Sequence, residues 1–368
     1  MPFLADDELL SALRDFDGRA SLHSTDLCAH HLLVEHVDRA LAVDAAEWQG
    51  DKLAWGEFSA AAGCVARWLR SLACVRGSLI ALHFHCSVEL LVGLLGAVLS
   101  SGAYMPFDPK WPVERRRFIA EDGGCFALLA QSIHGGHTRQ WFARSALLLA
   151  RMHLVSQSGS QHRALRCVAP AQAPLYAIYT SGTTGTPKGV LVSRGGEVSL
   201  MDGIRNRCHS EGTWRCGVAF LHVFDGFQMS FFWCLGILGG TCVLVESGVM
   251  LSSAARGGKL THMHGVHSAM AVAETTPSVV YVHVGGESTT DALATNFRAC
   301  VRIFNDYGPT EATCVTSSKV VSRSRLGSIG SSGHSVSSYI AEPLSGQLQP
   351  IGVWGELWLG GAQVARGY

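Results

Sequence analysis

The sequence has no excess of charge of either sign. Its 29 Lys and Arg residues equal its 29 Asp and Glu residues, and charged residues make up only 16% of the chain. A balanced surface has no net positive field with which to attract nucleic acid or an anionic membrane. We therefore expect neither nucleic acid nor a membrane among the partners.

Signals for secretion and membrane insertion are also lacking. Residues 1–8 contain neither a basic n-region nor an apolar stretch. The most apolar segment, residues 90–99, has about half the length of a membrane span and is expected to be a buried helix. The 12 cysteines are scattered and never occur as C-x-x-C, which favours reduced thiols over a disulfide framework. Together these absences predict a cytoplasmic protein.

The apolar content is high enough for a large core, at 48% of 368 residues. Strand-like apolar runs recur before helix-like segments such as residues 60–72 and 88–100, which is typical of a layered α/β fold. Residues 1–50 are interpreted as helical, and residues 101–112 and 322–338 as loops. The strand-like runs are residues 78–85, 125–130, 176–179, 217–221, 241–246, 279–284 and 301–304.

The strongest chemical signal is a loop rich in glycine and hydroxyl side chains. Small residues let the backbone approach a polyphosphate, hydroxyl and N–H groups can hold its oxygens, and Lys188 adds positive charge. Pro187 before this lysine and Gly189 after it exclude the Walker A spacing. The alternative is a polar loop that only joins two strands. The predicted phosphate-binding residues are Thr180, Ser181, Gly182, Thr183, Thr184, Gly185, Thr186, Lys188 and Gly189.

This loop resembles the signature of the adenylate-forming (AMP-binding) superfamily, which includes acyl-CoA synthetases, luciferases and the adenylation domains of nonribosomal peptide synthetases. Further segments resemble core motifs of the family and follow its order: residues 53–58, 101–109, 305–311 and 355–361. The resemblance implies an α/β fold of two layered αβ subdomains with the start of a small β-subdomain. It also assigns residues 1–30 to an N-terminal extension and residues 31–368 to an AMP-binding large domain.

Two motifs favour the amino-acid-activating branch over acid–CoA ligases: Tyr-Gly-Pro-Thr-Glu at residues 307–311 and Gly-Gly-Glu at residues 285–287. In that branch an aspartate pairs with the substrate ammonium, and Asp225 stands at its position. An uncharged acid would leave such a buried carboxylate unpaired. One alternative is that Asp225 caps the helix that begins there. Another is that residues 221–224 match the histidine-containing strand end of acid–CoA ligases.

The resemblance also assigns roles to single residues. Tyr307 would stack on adenine, with packing under a turn as the alternative, and Asn305 would offer its amide to the adenine edge. Thr310 would donate to the α-phosphate or to the substrate carboxylate, and Glu311 would bind Mg²⁺ through its carboxylate oxygens. The metal would neutralise charge as the acid attacks the α-phosphorus of ATP and pyrophosphate leaves, with no side chain as nucleophile. The catalytic candidates are therefore Thr184, Lys188, Thr310 and Glu311.

The remaining site residues are carried over from the same motifs. Besides the loop, the nucleotide-binding candidates are Gly285, Gly286, Glu287, Asn305, Asp306, Tyr307 and Gly308. The substrate-binding candidates are Asp225, Gly226, Ser268, Val282, Val284, Cys314 and Val315, and Asp306 is also placed in the substrate wall. Mostly small or apolar walls with a second acid would suit a modest side chain with a polar or basic element. The alternative is that Asp306 faces solvent or backbone amides.

A group of histidines, His262, His264 and His267, has a spacing that could suit a metal site. No adjacent Cys or carboxylate completes the set. Alternation along a strand would put His262 and His264 on one face. We interpret the group as pocket wall or packed core.

The chain departs from the family pattern at several points. A Thr-Gly-Asp motif, a hinge and a lid with a catalytic lysine would follow residues 355–368 in the family, and no lysine follows Lys319. Residues 193–194 replace a usual histidine, and between Phe224 and Gly239 the chain is one or two residues longer. We expect a fragment, a truncated gene model or a non-catalytic ATP-binding pseudoenzyme, weak or inactive alone. A longer parent protein would supply a phosphopantetheinyl carrier domain as partner.

Overall fold

A computed structural model gives the fold. It describes residues 28–37, 40–134, 138, 140–142, 144–149, 167–181, 185–205, 213–258, 260–297, 301–322, 327–333 and 335–368. Two predicted features lie outside these residues: most of the N-terminal extension, and Gly182, Thr183 and Thr184 of the phosphate loop.

The described strands follow one another along the whole chain. In chain order they are β1 (Asp44–Trp48), β2 (Asp51–Ala54), β3 (Leu79–His83), β4 (Ala103–Phe107), β5 (Ala127–Gln131), β6 (Ala146–Leu149), β7 (Pro174–Thr180), β8 (Lys188–Ser193), β9 (Arg215–Val218), β10 (Thr241–Leu244), β11 (His262–Gly265), β12 (Tyr281–Gly285), β13 (Arg302–Tyr307), β14 (Ser317–Val320), β15 (Ser331–Ser332), β16 (Val336–Ala341) and β17 (Glu356–Gly361).

These strands form three sheets. A six-stranded sheet has the order β6-β5-β3-β4-β7-β8, in which only β8 runs antiparallel to its neighbour. A nine-stranded sheet has the order β15-β14-β13-β12-β11-β9-β10-β1-β2, parallel from β13 to β1 and antiparallel at both edges. Strands β16 and β17 pair by themselves as an antiparallel hairpin. Parallel neighbours need crossover connections, and helices supply most of them.

The described helices are named in chain order. They are α1 (Ala29–Val37), α2 (Trp55–Ser71), α3 (Val88–Leu99), α4 (Val113–Asp122), α5 (Arg194–Arg205), α6 (Asp225–Phe231), α7 (Gly248–Gly258), α8 (His267–Ala271) and α9 (Asp291–Asn296). A π-helical segment, Phe232–Ile237, continues α6, and 3₁₀ turns lie at Ser132–His134 and Thr310–Ala312. The π-helical segment lies where the sequence has extra length after Phe224, and its wider i→i+5 turn can take up an additional residue.

Helix α3 is the predicted buried helix, and every one of its residues is buried. It begins where Ser87 caps it: the Leu90 N–H donates to the Ser87 hydroxyl at 3.3 Å. Gly96 lets α3 approach α2 closely, because a Cβ there would lie 2.6 Å from Val65. Within the described residues, no helix combines the length and apolar character that crossing a bilayer requires.

Apolar clusters cover both faces of each large sheet. The largest cluster joins residues of both sheets and includes Phe58 of α2 and Leu94 of α3. A second cluster packs Leu251 of α7 and Leu293 of α9 on the other face of the nine-stranded sheet. A third packs Ile119 of α4 on the other face of the six-stranded sheet. The predicted layered α/β fold with two subdomains is therefore confirmed.

Three segments differ from the expectations drawn from the sequence. Residues 44–48, expected to be helical, form β1 and pair in parallel with β10. Residues 103–107, expected to be a loop, form β4, which is buried throughout between β3 and β7. Part of the expected loop 322–338 pairs as β15 and the start of β16. Pairing with distant strands determines the secondary structure of these segments. The local amino-acid composition does not predict this pairing.

Candidate functional site

The predicted phosphate loop joins β7 to β8. Thr180 and Lys188 face each other as the last paired residues of this antiparallel hairpin. Ser181, Gly185 and Thr186 are exposed, and Gly185 has a φ of +79°, in the left-handed region that favours glycine. The loop thus connects two strands, whereas a Walker A loop connects a strand to a helix.

Gly189 serves the packing of this hairpin. A Cβ at Gly189 would lie 2.9 Å from the ring of Tyr179, which faces it across the two strands. The Tyr179 hydroxyl in turn donates a hydrogen bond to Asp122 at the end of α4. The glycine after the lysine therefore has a structural reason that is independent of any ligand.

Glu311, the predicted metal ligand, lies in the 3₁₀ turn that follows β13. Its Oε1 accepts a hydrogen bond of 3.0 Å from the hydroxyl of Tyr368, and this bond raises the pKa of Tyr368. The ammonium of Lys188 lies 5.1 Å from the centre of the same tyrosine ring, within cation–π range. Tyr368 therefore bridges the predicted phosphate lysine and the predicted metal ligand, a link that the sequence analysis missed.

Backbone hydrogen bonds hold the segment around Tyr368 in place. The Ala365 N–H donates to the Glu311 carbonyl at 2.7 Å, and the Arg366 N–H donates to the Leu191 carbonyl at 2.9 Å. The Leu191 N–H donates to the Gly367 carbonyl at 3.0 Å. The segment is thus bonded both to β8 and to the turn that carries Glu311.

Thr310, beside Glu311, contacts the predicted amine anchor. Its Oγ1 donates a hydrogen bond of 2.7 Å to Oδ2 of Asp225. Helix α6 begins at Asp225 with Phe224 at the N-cap and no side-chain cap, so the carboxylate faces Thr310 and does not act as the helix N-cap. Burial raises the pKa of Asp225, and the hydrogen bond from Thr310 acts in the opposite direction.

A cavity of about 210 Å³ opens beside Asp225. It lies at the carboxyl ends of β9, β11, β12 and β13, the edge at which open α/β sheets bind ligands. The predicted wall residues Asp225, Gly226, Val284, Cys314 and Val315 line it, together with Asp306. The other lining residues are Phe220, Phe224, Met229, Val266, His283, Gly285, Gly286, Glu287 and Gly308.

One predicted wall residue on β12, Val282, does not line this cavity. Side chains alternate along a strand, and Val282 is buried in the apolar cluster on the face away from the cavity. Val284 belongs to that cluster as well, although it also borders the cavity. His283, between them, lines the cavity and stacks on Phe304 with ring centres 4.8 Å apart. Of the two valines carried over from β12, Val284 borders the cavity and Val282 does not, and His283 was not among the predicted residues.

Asp306 lies in the cavity wall with its carboxylate inward. Its side chain is 9% exposed, and His283 Nδ1 lies 2.9 Å from its Oδ2. The Ser318 hydroxyl donates to its other oxygen. The carboxylate therefore contacts the side chains of His283 and Ser318.

Ser268 does not line the cavity. Its hydroxyl and its N–H donate to the Glu287 carboxylate, at 2.9 Å and 2.7 Å. Backbone geometry requires glycine at both positions before Glu287. Gly286 has a φ of +79°, and a Cβ at Gly285 would lie 2.8 Å from the Asp306 carbonyl. The Gly-Gly-Glu motif thus shapes the turn after β12, and Ser268 could affect a ligand only through Glu287.

The predicted adenine motif ends β13. Tyr307 is 39% exposed, which leaves its ring accessible for stacking. The Asn305 amide contacts protein groups: its Oδ1 lies 3.0 Å from His267 Nε2, and its Nδ2 donates weakly to the Ser328 carbonyl at 3.4 Å. A Cβ at Gly308 would lie 2.3 Å from the Cys314 carbonyl, so this glycine is required by the close approach of the chain. The nucleotide-binding roles of these residues stay predictions.

Helix α5 begins with two buried charged residues. Arg194, one of the two residues expected to replace a family histidine, is fully buried and donates to the Gly102 and Val98 carbonyls at 2.6 Å and 3.2 Å. Glu197 is also fully buried, and burial together with the nearby charge of Asp225 raises its pKa to about 8. Within the described residues, neither Glu197 carboxyl oxygen has a hydrogen-bond partner. No motif in the sequence points to Glu197.

The histidine group is packed as the sequence analysis expected. His262 and His264 are fully buried on β11, and both contact the Trp233 ring. His264 Nδ1 lies 3.0 Å from the Ser230 hydroxyl. His222, in the segment compared with acid–CoA ligases, is buried with Nε2 3.2 Å from the Phe107 carbonyl, and it does not line the cavity.

Comparison with known proteins decides the family. The model of a family described as "AMP-binding enzyme" matches residues 33–368. The chain belongs to the AMP-binding enzyme family. By family it is an adenylate-forming ligase, and AMP-binding enzymes use ATP.

Relatives of this AMP-binding chain include very long synthases. It is 31% identical over 384 residues to tyrocidine synthase 3 of Brevibacillus parabrevis, aligning 99% of this chain with 6% of that protein. It is 30% identical over 393 residues to N-(5-amino-5-carboxypentanoyl)-L-cysteinyl-D-valine synthase of Penicillium rubens, aligning 99% of this chain with 10% of that protein. The chain thus spans a small part of the length of the relatives that it matches.

Solved structures show the same fold. The nonribosomal peptide synthetase FmoA3 superposes with a TM-score of 0.88 at 19% identity, covering 100% of this chain and 41% of that chain. Its AMPPNP-bound form superposes with a TM-score of 0.85 at 20% identity, covering 98% and 40%. The AMP-binding chain therefore has the adenylation-domain fold that its motifs predicted.

Proposed function

We propose that this chain activates an amino acid by joining its carboxylate to AMP. The observation that carries the proposal is the 2.7 Å hydrogen bond between Thr310 and Asp225. This bond supports the proposal because it joins Asp225, the predicted amine anchor, to Thr310 in the predicted catalytic turn. In an α-amino acid the carboxylate and the ammonium share one carbon, so an ammonium paired with Asp225 keeps the carboxylate close to that turn.

The chemistry is a transfer of AMP to the acid. A carboxylate oxygen attacks the α-phosphorus of ATP and forms an O–P bond. The bond from that phosphorus to the bridging oxygen breaks, and pyrophosphate leaves with the electron pair. Lys188 and the hydroxyls of the 180–189 loop hold the phosphates, so positioning and electrostatics carry the step.

Glu311 fits a magnesium site. Mg²⁺ is commonly bound by one or two carboxylates together with substrate phosphates. Tyr368 fixes the Glu311 Oε1 by a hydrogen bond, and the ring of the same tyrosine contacts the Lys188 ammonium. The ion would neutralise charge on the phosphates at this turn.

The wider assignments belong to the same proposal. Residues 31–368 would form the AMP-binding large domain after an extension of residues 1–30, and a phosphopantetheinyl carrier domain would accept the activated acid. We propose a cytoplasmic location, which the unpaired cysteine thiols among the described residues support. The low activity expected of the chain alone stays a prediction, and amino-acid-dependent pyrophosphate exchange measures it.

The nucleotide part of the proposal is tested by isothermal calorimetry with ATP and Mg²⁺. Lys188→Ala and Thr184→Ala should each weaken binding about tenfold or more, because each removes a phosphate contact. Lys52→Ala is the matched control, since Lys52 pairs with Asp44 on β1 and β2, at the edge of the other sheet. Equal affinity in all four proteins would exclude the phosphate-loop assignment.

The amino-acid part is tested by pairing each amino acid with the acid that lacks the α-amine. In the presence of AMPPNP and Mg²⁺, the amino acid should shift the melting temperature more than its partner. Asp225→Asn should remove the difference while leaving AMPPNP binding intact. An equal shift by the deaminated acid, unchanged in Asp225→Asn, would favour an acid–CoA ligase instead.

A further inference from the structure

Tyr368 contacts two residues of the proposed phosphate site. The Lys188 ammonium lies 5.1 Å from the centre of its ring, and its hydroxyl donates a hydrogen bond of 3.0 Å to Glu311 Oε1. The residue is nevertheless 73% exposed. An aromatic ring that stays in solvent gains little from the hydrophobic effect. The contacts with Lys188 and Glu311, and not packing in the core, therefore hold the ring in place.

Each of these contacts has the chemistry that a bound nucleotide would supply. Lys188 is a cation whose proposed ligands are phosphate oxygens, and the negative face of the aromatic ring takes their place. Glu311 is a carboxylate whose proposed ligand is Mg²⁺, and the hydrogen of the phenol takes the place of that positive charge. The Tyr368 side chain is thus an internal stand-in for a magnesium–phosphate group.

The ring also takes up the space between the two residues. Lys188 begins β8 of the six-stranded sheet, and Glu311 lies in the turn after β13 of the nine-stranded sheet. The phenol bridges them by one direct path. A magnesium–phosphate group that bridges the same two residues therefore competes with the phenol for the same atoms and the same space.

The backbone keeps the ring close to this place. The Ala365 N–H is bonded to the Glu311 carbonyl, and the N–H and carbonyl of Leu191 are both bonded to residues 366–367. None of these bonds involves the Tyr368 side chain. Rotation about its Cα–Cβ bond would turn the ring away while the backbone stays, and exposed side chains change rotamer within picoseconds to nanoseconds. The ring can therefore leave the site and return to it without any strand moving.

We propose that Tyr368 is an autoinhibitory latch, which holds Lys188 and Glu311 before a nucleotide binds and is displaced by the magnesium–polyphosphate part of ATP. This inference rests on the proposed function, since it takes Lys188 as a phosphate partner and Glu311 as the magnesium ligand. A site that is free for only part of the time binds its ligand with an apparent affinity reduced by that fraction. ATP with Mg²⁺ should therefore bind more tightly to a chain that lacks the phenol.

The opposite role for Tyr368 would be support of the metal ligand. A hydrogen bond to a coordinating carboxylate can hold it in the orientation that binds the metal. In that case removal of the phenol would weaken the binding of ATP with Mg²⁺. The two roles therefore predict changes of opposite sign in one measurement.

The measurement is calorimetry of AMPPNP with Mg²⁺ binding to the full chain. Tyr368→Leu removes both contacts and should tighten binding about fivefold or more, whereas Tyr368→Phe removes only the hydroxyl and should tighten it about threefold. AMP without Mg²⁺ should bind equally well to the natural chain and to both variants. It lacks the metal and the β- and γ-phosphates with which the ring is proposed to compete.

Tyr339→Phe is the matched control. It removes a phenol hydroxyl from β16, in the separate hairpin, and should leave the affinity for AMPPNP unchanged. The melting temperature of each variant without ligand checks that it is folded. A gain in affinity of the same size in Tyr339→Phe would overturn the assignment of the effect to the latch.

A second measurement follows the ring itself. The chain is produced with 3-fluorotyrosine at its seven tyrosines, and Tyr368→Leu identifies the ¹⁹F resonance of Tyr368 by its loss. AMPPNP with Mg²⁺ should move this resonance towards that of fluorotyrosine in solvent, because the ring leaves Lys188 and Glu311. A resonance that stays in place at saturation would mean that the ring is not displaced.

The outcomes separate the latch from the proposed function. Unchanged or weaker binding of AMPPNP by Tyr368→Leu overturns the latch, and so does an equal gain for AMP. If Lys188→Ala weakens AMPPNP binding and Tyr368→Leu does not tighten it, the proposed function stands without the latch. If neither substitution changes the affinity, the phosphate-loop assignment fails and the latch fails with it.

Discussion

The half of the site that we propose to bind phosphate and the half that we propose to bind the acid differ in how the chain builds them. In the proposed phosphate half, the described loop residues Ser181, Gly185 and Thr186 are exposed, and their backbone and hydroxyls would contact a ligand directly. The acid half is a cavity whose polar groups are already bonded to one another, as Asp225 is to Thr310 and Asp306 is to His283. An exposed loop can change without disturbing the fold, whereas a change in the cavity wall also changes the core.

The largest loss of stability is expected from a substitution at Gly308, where the two halves of the site meet. Gly308→Ala would place a Cβ 2.3 Å from the Cys314 carbonyl and 2.8 Å from the Thr316 nitrogen. Both neighbours are backbone, so the strand end must move, and we expect a loss of about 3 kcal/mol or more in the free energy of unfolding. Chemical denaturation measures it.

Gly257→Ala is the matched control for that variant. Gly257 lies in α7, and a Cβ there would meet nothing within 4 Å. Because alanine favours helix over glycine by up to about 1 kcal/mol, this variant should be neutral or slightly more stable. A loss as large as that of Gly308→Ala would show that the close approach at Gly308 is not the cause.

Glu197 is buried near Asp225, and this burial should make the free energy of unfolding depend on pH. Its pKa is about 8 in the folded chain and 4.5 when unperturbed, so the folded state holds the proton that the unfolded state loses between these values. Stability should therefore fall as pH rises through this window, by up to about 1.4 kcal/mol per pH unit.

Glu197→Gln should remove most of this slope. The amide keeps the shape and cannot ionise, so its free energy of unfolding should exceed that of the natural chain most clearly near pH 8. Urea denaturation across pH 5 to 8 measures the difference. Parallel curves for the two proteins would mean that Glu197 is ionised in the folded state.

The smallest expected effect concerns the bond between the two halves. Thr310→Val removes the hydroxyl that counteracts the burial-raised pKa of Asp225. The Asp225 carboxyl should then ionise only at higher pH. As the pH is lowered, the variant should therefore lose its affinity for an amino acid at a higher pH than the natural chain does. A hydrogen bond to a charged group is worth about 1.5–3 kcal/mol, so the pH at which affinity is lost should move upward in this variant.

Thr310→Ser keeps the hydroxyl and is the control. Its affinity for an amino acid, measured by calorimetry from pH 5 to 8, should follow that of the natural chain. An unchanged profile in Thr310→Val would mean that the hydrogen bond does not set the charge of Asp225.

The same contrast explains what the sequence could and could not predict. The phosphate loop is a local motif, so its residues could be proposed from the sequence, whereas the strand β8 that follows it was not predicted. The cavity wall depends on which residues of β12 face the π-helical segment, where the Trp233 ring contacts His283, and a shift of one residue exchanges Val282 for His283. The strands at residues 44–48 and 103–107 were missed for a related reason, since their pairing partners are far away in the chain. Glu197 was missed because burial leaves no local pattern.

Residues 365–368 connect the two large sheets through hydrogen bonds. Their backbone is bonded to β8 on one side and to the Glu311 turn on the other, and the Tyr368 ring lies between Lys188 and Glu311. A movement of this segment would therefore move both Lys188 and Glu311. A displacement of residues 365–368 would therefore change the distance between the Lys188 ammonium and the Glu311 carboxylate, which is the space proposed for a polyphosphate.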